Sequence, residues 1–359
     1  MGTVLMPLLW VAFTSLMSQG MYRKERVLGK PERRATWLYA LMVMGPIIVM
    51  AIMRSTYFGD TYTYVRTYLA LPESIYEKKQ WLSEVSKDKA FYAFEALISV
   101  FAGGHARVFL MIIAIIQGFC LMKVYRRYSC DFWFSIFVFV ASTDIFSWMY
   151  NGIRQFTAVS ISFLAAGYIF RKKYIRAMLV VGFASLFHQS ALLVIPVIFV
   201  VQGKPWNWKT LLIIVGTLVA MMFSGAFTGM LDSALQDTQY RNAVRDWTSW
   251  QDDGTNPLRV LVYSVPTILS LFCRKKIQAS GDRSVQIACN MGIVSTAIYM
   301  ISMVTSGIFM GRLPIYFSLY ANGILLPWEL KYVFGKSMKT VAIVCYVMFS
   351  FIQLFIGWG

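Results

Sequence analysis

The sequence predicts an all-α, polytopic integral membrane protein. Of its 359 residues, 58% are hydrophobic and 14% are charged, and the mean hydropathy is +0.57. Soluble domains are nearer 25% charged, so a water-soluble chain of this length could not bury so much apolar surface. The apolar residues come in runs of roughly 20 without strict alternation, which favours membrane helices over a transmembrane β-barrel. No polar stretch is long enough for an added soluble domain, so we expect a single membrane domain over residues 1–359.

Twelve membrane segments are expected from the order of these apolar runs. The first covers residues 2–19 and is not typical of a signal peptide, because no basic residue precedes it and no small-residue cleavage site follows it. The long run at 177–202 is interpreted as two short helices that form a hairpin, broken near His188. The other segments are expected at 37–53, 106–122, 131–148, 153–170, 210–230, 258–273, 284–306, 308–328 and 338–357.

The distribution of charge supports the break near His188. Cytoplasmic loops of membrane proteins carry an excess of Lys and Arg. With two short helices at 177–202, the entire net charge of +17 falls on the inside loops and the outside segments are neutral. One long span would instead place the basic residues at 274–276 outside. We therefore expect both termini outside, and the positive-inside bias explains the charge without nucleic-acid binding.

Two large outer loops follow from this topology. The first, 54–105, contains a stretch at 90–101 with apolar residues at helical spacing, which is too short to span a membrane and predicts an interfacial helix. The second, 231–257, combines carboxylates with rings such as Trp247 and Trp250. This combination suits a carbohydrate surface, although aromatic rings also form the usual belt at a membrane edge.

The short turn N-G-I-R-Q at 151–155 lies between two predicted segments and is a candidate anion site. Polar groups at membrane depth are expensive, which makes them functional candidates. Asn151 is expected to cap the next helix, with Arg154 in its first turn and Gln155 beside it. Free N–H groups, the helix dipole and a guanidinium together suit phosphate oxygens. An arginine that only reaches lipid headgroups is the alternative.

A second arginine is expected at another outward helix start, in G-R-L-P-I-Y-F at 311–317. Pro314 suits the first turn of a helix, so Arg312 precedes or opens that helix. Tyr316 then lies one turn later on the same face. Two arginines at two helix starts would fit a diphosphate. No zinc, P-loop or nucleophile-elbow motif accompanies them, and with arginines to neutralise phosphate we expect neither a metal nor a cofactor.

Two ionisable groups compete for the role of a base. Asp60, in Y-F-G-D-T-Y-T-Y at 57–64, is either a loop aspartate paired with Arg54 or Arg66 or a carboxylate at a cavity rim. His188, in F-H-Q-S-A at 187–191, is either a satisfied core histidine or a functional group beside Ser190. Histidine matches neutral pH better, whereas a carboxylate near pKa 4 is a weak base.

At these motifs the sequence resembles the EpsG-like branch of the Wzy-type bacterial polysaccharide polymerases. The resemblance extends from about residue 20 to residue 330 and rests on several short motifs in order. The matching positions are Asp60 with Tyr64, the segment K-D-K-A-F-Y-A-F-E-A-L-I-S at 87–99, Asn151, Arg154 and Gln155 as N-x-x-R-Q, His188, Ser190 and Ala191 as H-x-S-A, and Arg312 with Tyr316 as R-x-x-x-Y.

The resemblance implies a GT-C-like architecture and a glycosyltransferase on the outer face of the bacterial cytoplasmic membrane. Its substrates would be oligosaccharide repeat units on undecaprenyl pyrophosphate, and a hydroxyl of one unit would attack the anomeric carbon of the other chain. Membrane lipid and a chain-length regulator are further implied partners.

In such a reaction Arg154 and Arg312 would stabilise the departing pyrophosphate. We expect Asp60 to be the base and His188 a phosphate or hydroxyl ligand, because Asp60 belongs to a polar loop that can approach a sugar hydroxyl. The remaining substrate-binding positions would be Asn151, Gln155, Ser190, Tyr316, Tyr64 and Arg66.

Other functions share some of these features. A transporter or flippase of lipid-linked glycan also has broken helices and polar groups at membrane depth, but no internal repeat is found and the predicted polar groups lie on one side. An O-antigen-type ligase would use the same chemistry on a different acceptor. A membrane O-acyltransferase also uses one intramembrane histidine, yet it draws on a cytoplasmic donor, whereas His188 is expected toward the outside.

The predicted topology can be tested with single cysteines in a variant that lacks the five native ones. Asp246→Cys, in the second outer loop, should react with a membrane-impermeant maleimide added to intact cells. Lys275→Cys should react only after the membrane is opened. Labelling at position 275 from the outside would contradict the break near His188.

Overall fold

The computed structural model describes residues 2–85, 87–250 and 252–356 and is about 74% helical. The prediction of an all-α protein is confirmed, since the two short strands of one hairpin are the only strands in these ranges. The described residues pack as two compact units. The first contains the residues up to Val194 together with those from Leu330 onward, and the second is Ile195–Glu329.

The first unit is built around one long apolar helix, α6, which contacts α2, α5, α7 and α9. Short helices connect the longer ones, and a 3-10 helix at Gln189–Leu193 follows the last of them. The helices are α1 (Gly2–Leu16), α2 (Trp37–Ile52), α3 (Thr61–Leu69), α4 (Ile75–Glu84), α5 (Lys89–Ala102), α6 (Ala106–Tyr128), α7 (Phe132–Ala141), α8 (Thr143–Ser147), α9 (Ile153–Phe163), α10 (Ala166–Phe170) and α11 (Tyr174–Ser185).

The second unit is organised around α18, which contacts α13, α16 and α19. The chain enters this unit through α12 and leaves it after Glu329, where a π-helical turn at Leu330–Phe334 leads to α21 of the first unit. A 3-10 turn at Met310–Arg312 and a π-helical turn at Ala321–Leu325 flank α19. The helices of the second unit are α12 (Val194–Val200), α13 (Trp208–Met222), α14 (Ser224–Leu235), α15 (Ala243–Ser249), α16 (Pro257–Phe272), α17 (Arg274–Ala279), α18 (Arg283–Ser302), α19 (Ile315–Tyr320) and α20 (Leu326–Glu329). The last helix, α21 (Gly335–Ile356), belongs to the first unit.

Several helices suggest a membrane-embedded protein. Among the described residues, four helical stretches are long and apolar enough to cross a membrane, namely Ala106–Tyr128, Ile153–Phe170, Arg283–Ser302 and Met310–Gln353. A fifth is added if α13 and α14 are counted as one span, although they are bent by 105° at Phe223, so the segment predicted at 210–230 is not straight. Six shorter apolar helices correspond to other predicted segments, and the count of twelve and the GT-C architecture stay predictions. These shorter helices are Leu5–Leu16, Trp37–Ile52, Phe132–Ala141, Tyr174–Ser185, Gln189–Val200 and Pro257–Phe272.

The helix break expected near His188 is present. The α11 helix ends at Ser185, and the 3-10 helix begins at Gln189. His188 between them has an extended backbone, with φ −158° and ψ 120°. The arrangement of the two halves as a hairpin in a membrane stays a prediction.

The basic segment expected to be a loop at 21–36 is a β-hairpin. Strand β1 (Tyr22–Val27) pairs antiparallel with β2 (Lys30–Ala35), and Val27 lies opposite Lys30. Leu28 and Gly29 make the turn with φ of 49° and 86°. Positive φ at both central residues gives a turn whose twist matches that of paired strands. The two turn residues therefore allow strand pairing where charge alone indicated an open loop.

One arginine fixes this hairpin to the C-terminal end of α6. The Arg126 guanidinium binds both carboxylate oxygens of Glu25, with Nη1–Oε1 at 2.7 Å and Nη2–Oε2 at 3.2 Å. Nη1 also donates to the Ala35 carbonyl oxygen at 2.8 Å, and the guanidinium carbon lies 4.3 Å from the Trp37 ring centroid. Since bidentate pairs of this kind are stronger than neutral hydrogen bonds, this contact sets the position of the hairpin.

Glu25→Ala should lower the free energy of unfolding by about 2 kcal/mol, because the buried Arg126 guanidinium loses a charged acceptor. Hydrogen bonding to Arg126 lowers the pKa of Glu25, so the stabilisation is present above the ordinary carboxyl range and is lost as the pH falls through the lowered folded-state pKa. Unfolding of the purified protein in detergent at several pH values measures both effects. Glu32→Ala, which removes only a 4.0 Å contact to Arg34, is the matched control and should change stability by less than about 0.5 kcal/mol.

Candidate functional site

The predicted turn at 151–155 lies at the start of α9 in the first unit. The helix begins at Ile153 with Gly152 at the N-cap position, so the prediction that Asn151 caps it is wrong. The reason is that the preceding turn continues through Asn151, whose N–H donates to the Ser147 carbonyl oxygen at 2.9 Å. Arg154 lies in the first helical turn, as expected.

The turn packs closely against the chain that follows α2. Gly59 has a φ of 52°, and a Cβ at this position would overlap Asn151 Oδ1. This oxygen is buried and has no hydrogen-bond partner among the described residues. A glycine is required at position 59 both by its backbone conformation and by this close approach.

Arg154 is held by side chains of the segment 54–105, from α3 and from the first part of α5 with its N-cap. Its Nη1 donates to Asp88 Oδ2 at 3.1 Å, at the N-cap of α5, and to the hydroxyl of Tyr92 within α5 at 3.3 Å. The guanidinium carbon also lies 5.6 Å from the Tyr92 ring centroid. Tyr64 of α3 forms a further hydrogen bond with Arg154. Burial raises the pKa of Tyr64, and the positive charge of Arg154 partly offsets the rise, so the phenol is neutral and keeps its O–H to donate.

A buried carboxyl group lies on the same helix face. Tyr92 and Glu95 are three residues apart in α5, which places them on one side of the helix, and Asp88 is the residue just before its start. The Glu95 side chain is 1% exposed, and neither of its oxygens has a hydrogen-bond partner among the described residues. Such a group costs about 1–3 kcal/mol when it is left unsatisfied. We refer to Tyr64, Asp88, Tyr92, Glu95 and Arg154 as the Arg154 cluster.

Burial keeps the Glu95 carboxyl neutral at neutral pH. Desolvation raises its pKa to about 8, and the nearby charge of Arg154 acts in the opposite direction. Burial is the main cause of the raised pKa of Tyr68, and the negative charge of ionised Glu95 adds to it. Carboxyl groups with strongly shifted pKa values cluster at functional sites, which makes Glu95 a candidate.

The helix predicted at 90–101 is present as α5, and its apolar side explains how the cluster is positioned. Phe91 is buried against the rings of Tyr64 and Phe109, with centroid distances of 6.5 and 6.0 Å. The helix contacts α3, α4 and α6. These contacts turn the face that carries Tyr92 and Glu95 toward Arg154. The location of α5 at a membrane interface stays a prediction.

Asp60 does not form the ion pair considered from the sequence. Its carboxylate is exposed just before α3 and acts electrostatically on Tyr64, one turn later. Arg66 is also exposed. Arg54 is buried and donates instead to Thr61 Oγ1 at 3.0 Å and to a backbone carbonyl of α2. Its Nη2 has no hydrogen-bond partner in the described parts of the chain.

His188 and Ser190 lie beside the helices that carry the cluster. His188 Nδ1 is 2.7 Å from Ser190 Oγ, and both residues are half-buried. The Phe187 ring packs against Phe94 of α5 with centroids 5.4 Å apart, and the 3-10 helix contacts α9. Gln155, the residue after Arg154 in α9, is also buried. The first unit therefore contains eight of the ten predicted site residues.

Arg312 and Tyr316 belong to the second unit. Arg312 ends the 3-10 turn and is half-buried, and α19 begins three residues later. Pro314 stands at the N-cap position, and Tyr316 is buried in the first turn. Arg312 precedes the helix as expected. The diphosphate site formed with Arg154 stays a prediction.

Asp252 fixes the segment 231–257 near its C-terminal end. Its carboxylate accepts hydrogen bonds from Ser306 Oγ at 2.6 Å and from the backbone N–H groups of Gly307 at 2.9 Å, Ile308 at 3.0 Å and Gly254 at 3.1 Å. Partial burial raises its pKa, but these hydrogen bonds outweigh that effect and lower the pKa overall. The Asp252 carboxylate is therefore occupied by hydrogen bonds to the Ser306 hydroxyl and to backbone N–H groups. Throughout the described ranges, no group of three or more His, Cys, Asp or Glu could hold a metal ion.

Together these observations define a membrane-embedded, all-α protein with a cluster of ionisable and aromatic side chains at the start of one helix. The profile of the EpsG family matches residues 37–358, which is nearly the whole chain. The protein belongs to the EpsG family, which is related to the Wzy-like polymerases. The resemblance seen in the sequence is thus confirmed, and membership suggests a polysaccharide polymerase-type function. No curated protein and no solved structure matches the chain.

Sequence reasoning did not assign roles to Asp88, Tyr92, Glu95 or Arg54. The first three lie within the segment 87–99 that carries part of the resemblance, and their spacing predicts one helix face. The burial of Glu95 has no signal in the sequence, because it depends on which elements cover that face.

Proposed function

We propose that the protein is a polysaccharide polymerase, a glycosyltransferase that joins undecaprenyl-pyrophosphate-linked oligosaccharide repeat units on the outer face of the bacterial cytoplasmic membrane. The Arg154 cluster is the observation that carries this proposal. A guanidinium in the first turn of α9, held by Asp88 and two tyrosines, suits a phosphate group. Family membership supports the same class of reaction.

In the proposed reaction a sugar hydroxyl of one repeat unit attacks the anomeric carbon of the other chain. The bond from that carbon to the pyrophosphate oxygen breaks, and negative charge accumulates on the leaving group. Preorganised donors aimed at this charge lower the barrier. Arg154 and Arg312 have this role in our proposal, and two guanidinium groups supply the positive charge without a metal ion.

Unsatisfied polar atoms in the first unit support binding of a polar ligand. Arg54 Nη2 is a buried donor, and Asn151 Oδ1 and the Glu95 oxygens are buried acceptors, all without hydrogen-bond partners among the described residues. Native proteins leave few such groups, and each needs an explanation. Sugar hydroxyls and phosphate oxygens would supply the missing partners.

We assign the base to Asp60 and a ligand role to His188. Asp60 is exposed beside Tyr64, where an entering sugar can reach its carboxylate. His188 lies near α5 and α9, with one ring nitrogen next to Ser190. The other residues proposed to bind phosphate or sugar are Asn151, Gln155, Ser190, Tyr316, Tyr64 and Arg66. A chain-length regulator stays a predicted partner.

Arg154→Lys should reduce polymerisation by about 100-fold or more, because lysine keeps the charge but not the planar fork that binds two oxygens. The measurement is the length of lipid-linked glycan made in vitro from single repeat units, which are isolated from a strain that lacks this protein. Arg107→Lys, at an exposed position at the start of α6, is the matched control and should polymerise normally. Normal polymerisation by Arg154→Lys would show that Arg154 is only a headgroup anchor.

The assignment of the base can be tested by comparing two variants in the same assay. Asp60→Asn keeps the size of the side chain but removes its basicity, so it should abolish polymerisation and leave binding of lipid-linked substrate intact. His188→Gln should reduce the rate less. An inactive His188→Gln combined with an active Asp60→Asn would reverse the assignment.

A further inference from the structure

Glu95 is the one member of the Arg154 cluster whose side chain makes no hydrogen bond within the described residues. Arg154 meets Asp88, Tyr92 and Tyr64, so its donors are directed to other groups. Glu95 therefore lies in the field of a guanidinium without pairing to it. An ordinary structural carboxylate in this position would be expected to form an ion pair.

A neutral carboxyl has a property that an ionised one lacks. It can approach a phosphate group without repulsion and can donate its O–H to a phosphate oxygen. A phosphate oxygen that takes the place of Asp88 Oδ2 on Arg154 would lie near Tyr92 of α5, since both groups contact the same Nη1 atom. Glu95 follows Tyr92 by one helical turn on the same face of α5.

We propose that Glu95 is the general acid of the reaction and gives its proton to the pyrophosphate oxygen that leaves the anomeric carbon. This inference rests on the proposed function, because it requires Arg154 to bind the pyrophosphate. It adds a second catalytic group to Asp60, which takes a proton rather than giving one. The two carboxyl groups have opposite tasks because one is exposed and the other is buried.

The proposed step is balanced in protons and bonds. The attacking hydroxyl forms the new glycosidic bond and loses its proton to Asp60. The bond between the anomeric carbon and the pyrophosphate oxygen breaks, and that oxygen receives the proton of Glu95. Solvent then removes the proton from Asp60 and returns one to Glu95, so the products are the extended glycan and protonated lipid pyrophosphate.

The surroundings of Glu95 predict the direction of its pH dependence. In the described parts of the chain, the ionisable groups that interact with its charge are Arg154 from α9 and Tyr68 from α3. The two other helices that pack against α5 are α4 and α6. Their described residues contribute no further ionisable group that interacts with the charge of Glu95. Because the pKa of Glu95 is raised to about 8, the protonated form is present at neutral pH and is lost as the pH rises through that value.

The test uses the full-length protein in detergent and Glu95→Gln, which replaces one neutral buried side chain with another of the same size. This variant should lower kcat by about 100-fold, the usual contribution of a general acid, with KM for lipid-linked repeat units unchanged. The wild-type kcat/KM should fall above about pH 8, and Glu95→Gln should lose this alkaline decline. Glu84→Gln, at the exposed end of α4, is the matched control and should behave as wild type.

A second measurement does not depend on turnover. Binding of inorganic pyrophosphate should weaken above about pH 8 in the wild type more than in Glu95→Gln, because only the wild type acquires a repelling carboxylate. Wild-type kcat with an unchanged alkaline decline in Glu95→Gln would overturn the inference and leave the proposed function standing. Loss of pyrophosphate binding in a folded Glu95→Gln would show that Glu95 is a binding group and not the acid. A wild type that binds but never elongates repeat units would overturn the proposed function and this inference together.

Discussion

The hydrogen bonds of Arg154 hold the segment between α2 and α6 in place against the start of α9. One guanidinium joins the start of α9 to Asp88 at the N-cap of α5, to Tyr92 on α5 and to Tyr64 on α3. The apolar sides of α3, α5 and α9 determine which surfaces are buried. Apolar contacts alone do not fix how each helix is rotated about its axis or displaced along it. A charge-assisted, directional contact removes that freedom. The same contact leaves the guanidinium partly exposed, so the group that orders the loop is also available to a ligand.

Hydropathy and charge predicted the main features of the fold because both act over long stretches of sequence. Runs of apolar residues correspond to helices, and the break near His188 was found by requiring the basic loops to lie on one side. Two local features did not follow. Strand pairing at 22–35 depends on positive φ at Leu28 and Gly29, and the bend at Phe223 interrupts a run that contains no charged residue.

The site was predictable where function requires a recognisable residue at a helix start, and less so where it depends on tertiary burial. Arg154 was identified because an arginine in a short polar turn is unusual between two apolar runs. Asn151 was assigned to the wrong local role, since the choice between a cap and a neighbouring position depends on how the preceding turn closes. Glu95 resembles any polar residue of an amphipathic helix until the elements that cover it are known.

The attachment of the segment 231–257 has a consequence for how such proteins can diverge. Asp252 is bonded largely to backbone N–H groups, and Gly254 and Gly307 allow two backbone segments to lie in contact. Contacts between main-chain groups do not constrain the side chains elsewhere in the loop. The attached end can therefore be retained while the residues before it are substituted. A new surface could evolve on this loop without a new way of attaching it.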